Sequence, residues 1–329
     1  VMEIRYVKCK KELMGISALL ILIFHLYIPF TARPLEITIQ KAAFVGVDLF
    51  FFLSAYSLGR REKIVWKDFW KNRLSRIYLP FIIFTIFAFL YQKWEAVRIV
   101  KVIFGVELFQ RGGGAFLWFI PGIMVFYFFA PLWIIIKEKL GKKGLALMLV
   151  MWLLLAVVVQ FVLKQNQLMI MVHRMPIFFF GLFYEELKEA LPRKVHMPLL
   201  CIMAIVGGIL LYQYGGIVKI NKPFYDFFYI VAIPFELAVV GWVDCLTENR
   251  KEKVGFWGSV LGFVGGFTLE LYALQMIIGY NLEERLLVWR QNGQVAFAFT
   301  CIILMVLSYG LCCIKKWIIT FWDERKRNE

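Results

Sequence analysis

The stretch GISALLILIFHLYIPF, residues 15–30, decides the reading of this chain. It carries one ionisable side chain, His25, and it follows directly on Lys10, Lys11 and Glu12 after a short apolar lead-in. A run of this kind suits the hydrocarbon layer that about 20 helical residues cross. Nine more follow, so the ten lie at roughly 13–30, 43–59, 77–91, 115–136, 144–163, 169–184, 197–214, 223–245, 255–280 and 294–314. Of the 38 Lys and Arg residues, 26 fall in the alternate gaps that begin with residues 1–12, and 11 fall in the intervening gaps. The remaining one, Arg174, lies inside a run. Excess positive charge marks the cytoplasmic side. The expected fold is all-α: one polytopic membrane domain, 1–329, with about ten transmembrane helices, both termini cytoplasmic and five loops outside.

Composition excludes the main alternatives. A chain that is 61% hydrophobic and 18% aromatic has lipid as its solvent. The net charge of +15 flanks the apolar runs and forms no single stripe, so the partner it implies is anionic membrane lipid and not nucleic acid. Five of the six cysteines, Cys201, Cys245, Cys301, Cys312 and Cys313, sit within or beside runs. None is in a Cys-x-x-Cys or metal-like spacing, so neither a redox centre nor a metal is expected. The first run lacks a small-residue cleavage site and reads as a span, not a signal peptide.

Ionisable groups in hydrocarbon are costly, and each is a functional candidate. The inventory is His25, Asp48, His173, Arg174, Asp226, Glu236 and Glu270. Only His25 is embedded deep in a strongly apolar run. Counting from run ends at ~1.5 Å per residue brings His25, Asp48 and Arg174 to one layer in the outer half. Glu270, Tyr272 and Gln275 are expected to approach that half from the ninth run. An Asp beside a His fixes its tautomer and raises its basicity, as a general base requires. The catalytic candidates are therefore His25 and Asp48. The plainer alternative makes Asp48 the counter-ion of Arg174, joining two helices.

A second cluster, GRREKIVWKDFWKNRLSRIYLP at 59–80, carries seven Lys/Arg between Arg60 and Arg76. Arg73 and Arg76 are three apart, share a helix face and stand closest to the bilayer. Paired guanidinium groups there suit a phosphate. Arg60, Arg61, Lys63 and Lys67 read as ordinary anchoring charge.

These pieces together resemble the acyltransferase 3 family of integral-membrane acyltransferases, many of which acylate cell-surface glycans. GISALLILIFH resembles the family's first helix, whose motif ends on a histidine. FVGVDLFFFLSAYSLGR at 44–60 resembles its GVDLFFVLSGY stretch, and NRLSRIYLPF at 72–81 its Arg-x-x-Arg-Ile-x-Pro segment. FLWFIPGIMVFYFFAPL at 116–132 resembles its Leu-Trp-Phe-Leu helix, which brings in Trp118. RMPIFFFGLF and LGFVGGFTLELYALQ resemble weaker patterns downstream. The family often has an Arg eleven residues before the histidine; this chain has Met14, which leaves that role to Lys10, Lys11 or another basic group.

The resemblance implies an acyl-CoA donor, acetyl-CoA by default, and an external glycan or lipid-linked glycan acceptor at a bacterial plasma membrane. The donor's nucleotide would rest on Arg73 and Arg76. His25 would deprotonate the acceptor hydroxyl or carry the acyl group itself. Arg174, Glu270, Trp118 and Tyr272 are the candidate substrate-binding residues. No Gly-x-Ser-x-Gly elbow supports a serine route. Gly112, Gly113 and Gly114 read as a helix-entry turn. The rival from another class is a transporter, since intramembrane Asp, Glu, Arg and His also line substrate pathways; no inverted repeat accompanies them.

Overall fold

The computed structural model describes residues 2–26, 34–61, 63–190, 193–217, 226–248, 255–290 and 293–328. Among these residues every regular element is helical and none is a strand. In chain order the main helices are α1 (Met2–Leu26), α2 (Glu36–Gly59), α3 (Trp66–Gln92), α4 (Phe119–Leu140), α5 (Lys142–Val162) and α6 (Met175–Leu182). They continue as α7 (Arg193–Ile217), α8 (Phe228–Glu248), α9 (Phe256–Val264), α10 (Thr268–Leu287) and α11 (Gly293–Asn328). Among the described residues five helices are long and apolar enough to cross a membrane: α2, α3, α4, α5 and the Gly293–Trp317 part of α11. Counting α9 and α10 as one span bent by 61° makes six. The sixth apolar run, 169–184, is divided by a turn at His173–Arg174 into Met169–Val172 and α6.

Helix α2 is the hub. In its most apolar window 67% of residues are buried, against 22% for α3 and 28% for α5 and α11, whose large apolar side chains face outward. A helix that is apolar all round can bury every face, and small residues let its neighbours close in. A Cβ on Gly46 would lie 2.5 Å from the Ser17 carbonyl oxygen of α1, and one on Gly181 of α6 would lie 2.4 Å from that of Phe52. Antiparallel packing of α1 on α2 follows from two contacts: Gly46 against Leu20 and Ile21, and Lys10 Nζ donating to Ser57 Oγ at 2.7 Å.

One lysine ties three helix ends together. Lys137 Nζ donates to the Gly59 carbonyl at 2.9 Å and the Leu182 carbonyl at 2.7 Å, and pairs with Glu186 at 2.8 Å. It thereby satisfies carbonyls that the C-termini of α2 and α6 leave without intrahelical partners.

Two features depart from the depths counted along the sequence. The helical stretch of α2 runs from Pro34 and not from near 43, so Asp48 lies further along it than expected. Relative to the Gly46–Leu20 contact, His25 is five residues one way and Asp48 two residues the other, an axial separation of about 10 Å. The ninth run, in turn, is broken at Gly265–Phe267. There the backbones of α9 and α1 touch: a Cβ on Gly15 or on Gly265 would lie 2.0 Å from the carbonyl oxygen of Leu261 or Lys11. Helix α10 therefore starts beside the basic end of α1, which carries Glu270 away from the level of His25. Gly112–Gly114 form a 3-10 turn packed on Gln167, next to a buried Glu107 that accepts from Arg98, Arg111 and the Phe116 N–H.

Candidate active site

A cavity of about 440 Å³ lies between α1, α2, α3, α4, α10 and α11. Four cations stand on its wall: Lys10, Arg73, Arg76 and Lys315. The one carboxylate there, Glu270, is paired with Lys315. The Arg73 guanidinium lies over the Tyr127 ring at 4.5 Å and near the Phe69 ring at 5.1 Å. Two aromatic faces thus hold it flat and leave its N–H edge for a ligand. Burial, then the charges of Arg73 and Arg61, push the Lys10 amine down to about 8. An excess of positive charge that strains its own lysine is what an anion relieves.

The remaining wall is largely apolar, with Met14, Ile21, Val47, Phe50, Leu53, Ile120 and Ile123. His25 is not itself on this wall; it lies one turn beyond Ile21 on α1. The His25 Nδ1 lies 3.0 Å from the Ile21 carbonyl oxygen, one turn back on α1. A carbonyl only accepts, so Nδ1 carries the hydrogen and Nε2 keeps the basic lone pair. The Phe24 ring meets the imidazole edge-on at 5.0 Å. The expectation that Asp48 orients His25 is therefore replaced: a backbone carbonyl does so.

Asp48 belongs to a different cluster. Its carboxylate lies 2.6 Å from Arg174 Nε, with both side chains at most 2% exposed. Arg174 also donates to the Ile170 carbonyl at 2.8 Å and lies over the Tyr229 ring at 3.6 Å and the Trp118 ring at 5.0 Å. Fully buried Glu236 of α8 interacts with the same Asp48 carboxyl. Arg174 and Trp118 are thus packed into a junction of α2, α6 and α8, and neither lines the cavity. Of the expected substrate-binding residues, the cavity wall holds Glu270 and Tyr272.

The paired arginines and Glu270 were visible from sequence; Lys315 and Tyr127 were missed. Lys315 sits among five basic residues after the last run and nothing in its spacing sets it apart. Tyr127 reads as one more aromatic in an aromatic helix.

A family model described as an acyltransferase domain, that of acyltransferase 3, matches residues 13–314. The chain belongs to the acyltransferase 3 family. The match runs from the start of the first apolar run to the end of the last, and with the long apolar helices it makes this a membrane acyltransferase. No curated protein and no solved structure matches the chain. Membership in the acyltransferase 3 family favours the enzyme over the transporter.

Proposed function

We propose that this acyltransferase moves an acyl group, acetyl by default, from cytoplasmic acyl-CoA to a hydroxyl of an extracytoplasmic glycan or related surface molecule. The observation that carries the reading is the cavity, which joins a four-cation mouth to Ile21, one turn from His25. The charge distribution of the sequence puts the cation mouth on the cytoplasmic side. Ten crossings with both termini inside complete the topology. Arg73, Arg76 and Lys10 hold the nucleotide phosphates, and the apolar wall takes the arm and thioester. His25 Nε2 removes the acceptor's proton as the hydroxyl oxygen attacks.

Two measurements test this. Single cysteines at Thr38 and Gln110 react with an impermeant reagent added to intact cells, and one at Lys67 does not. Protection of both outer positions reverses the orientation. For the donor site, Arg73→Lys and Arg76→Lys keep the charge but lose the planar fork. Each charge-assisted contact is worth about 1.5–3 kcal/mol, so we expect the apparent KM of purified protein for acetyl-CoA to rise about tenfold or more at normal abundance. Unchanged donor dependence in the double variant reduces both residues to anchors.

A further inference from the structure

We propose that Tyr272 is a catalytic residue, donating its phenolic O–H to the carbonyl oxygen of the donor thioester as that oxygen becomes negative. The assignment rests on the acyl-CoA reading above. Tyr272 is nine-tenths buried and stands on the cavity wall beside Phe119. The Phe119 ring meets its ring edge-on at 6.4 Å.

The turn that starts α4 at Phe119 is strained. Leu117, fully buried, has φ of +48°, a left-handed conformation that a leucine rarely adopts. Among the described residues no acceptor faces the Tyr272 O–H. The phenol is thus fixed by its ring, with its O–H left for a ligand in the cavity.

A thioester carbonyl supplies the missing acceptor. When the acceptor oxygen forms its bond to the carbonyl carbon, the C=O π pair moves onto the carbonyl oxygen, where the Tyr272 hydrogen bond strengthens. On collapse the C–S bond breaks and the CoA thiolate takes the proton that His25 Nε2 had removed. Tyr272 keeps its own proton throughout.

Tyr272→Phe tests the role, because it retains the ring, the edge contact and the burial and removes only the oxygen. We expect kcat to fall about 10²–10³-fold, with the KM for acetyl-CoA rising by no more than the wild-type preference for the thioester. Binding is compared in parallel for acetyl-CoA and S-ethyl-CoA, a thioether of equal length without the carbonyl. Wild type prefers the thioester and Tyr272→Phe binds the two alike, while free CoA binds both proteins equally and shows the cavity intact. Wild-type kcat in the variant, or a thioester preference that survives in it, overturns the assignment to Tyr272 alone. A wild-type protein that neither binds nor turns over acetyl-CoA overturns the donor reading itself.

Discussion

A well-expressed His25→Gln protein is expected to lose acyl transfer by at least the ~100-fold that a general base contributes. Glutamine keeps a polar side chain of similar reach, and its amide N–H₂ can still donate to the Ile21 carbonyl as Nδ1 does. What it lacks is the basic ring nitrogen that can take up a proton. Abundance and melting should therefore stay close to wild type, and the loss should appear in kcat. His173→Gln is the control. That imidazole is 4% exposed, between the rings of Trp152 and Phe227 in the turn before α6, and not on α1 beside Ile21. It should retain most of the activity per folded molecule. Robust O-acylation by His25→Gln would sink the catalytic assignment.

Arg174→Met is expected to fail differently, by loss of protein from the membrane. Removing one partner of a buried ion pair costs about 3–5 kcal/mol, because the other charge is left in low dielectric. Here the stranded groups are Asp48 and Glu236, buried to 1% and 0% exposure. Asp48→Asn combined with Arg174→Met removes the charge from both sides of the pair and should recover abundance relative to Arg174→Met alone. Abundance by quantitative blotting and melting in detergent check this. Full abundance with lost activity in Arg174→Met would instead restore Arg174 to the substrate site, as its sequence context suggested.

How much of this was legible before the structure follows from what each inference needed. The all-helical class required only the spacing of apolar runs and the bias of their flanking charges, which are local. The shared face of Arg73 and Arg76 needed only helical geometry, and both reach one cavity. Depth was harder, because it depends on where a helix begins. The polar residues Glu36, Thr38, Gln40 and Lys41 hide the first turns of α2, and the resulting shift separates Asp48 from His25. The level of Glu270 turned on the break at Gly265–Phe267, where two glycines also read as ordinary small residues of an apolar helix. The hydrogen bond that fixes His25 goes to a main-chain carbonyl, which no side-chain pattern encodes. Asp48 with Arg174 was the plainer of two readings, and the geometry bears it out.

The Asp48–Arg174 pair also has a consequence for how the polypeptide is made. Ribosomes deliver α2 to the bilayer well before α6, and until residue 174 emerges Asp48 has no cation to meet. A lone carboxylate at a helix centre is disfavoured in lipid by several kcal/mol. Helix α2, the most enclosed of the five long apolar helices, therefore meets that penalty first. The carboxylate is matched only when α6 follows, so the order of synthesis bears on how this helix settles in the bilayer.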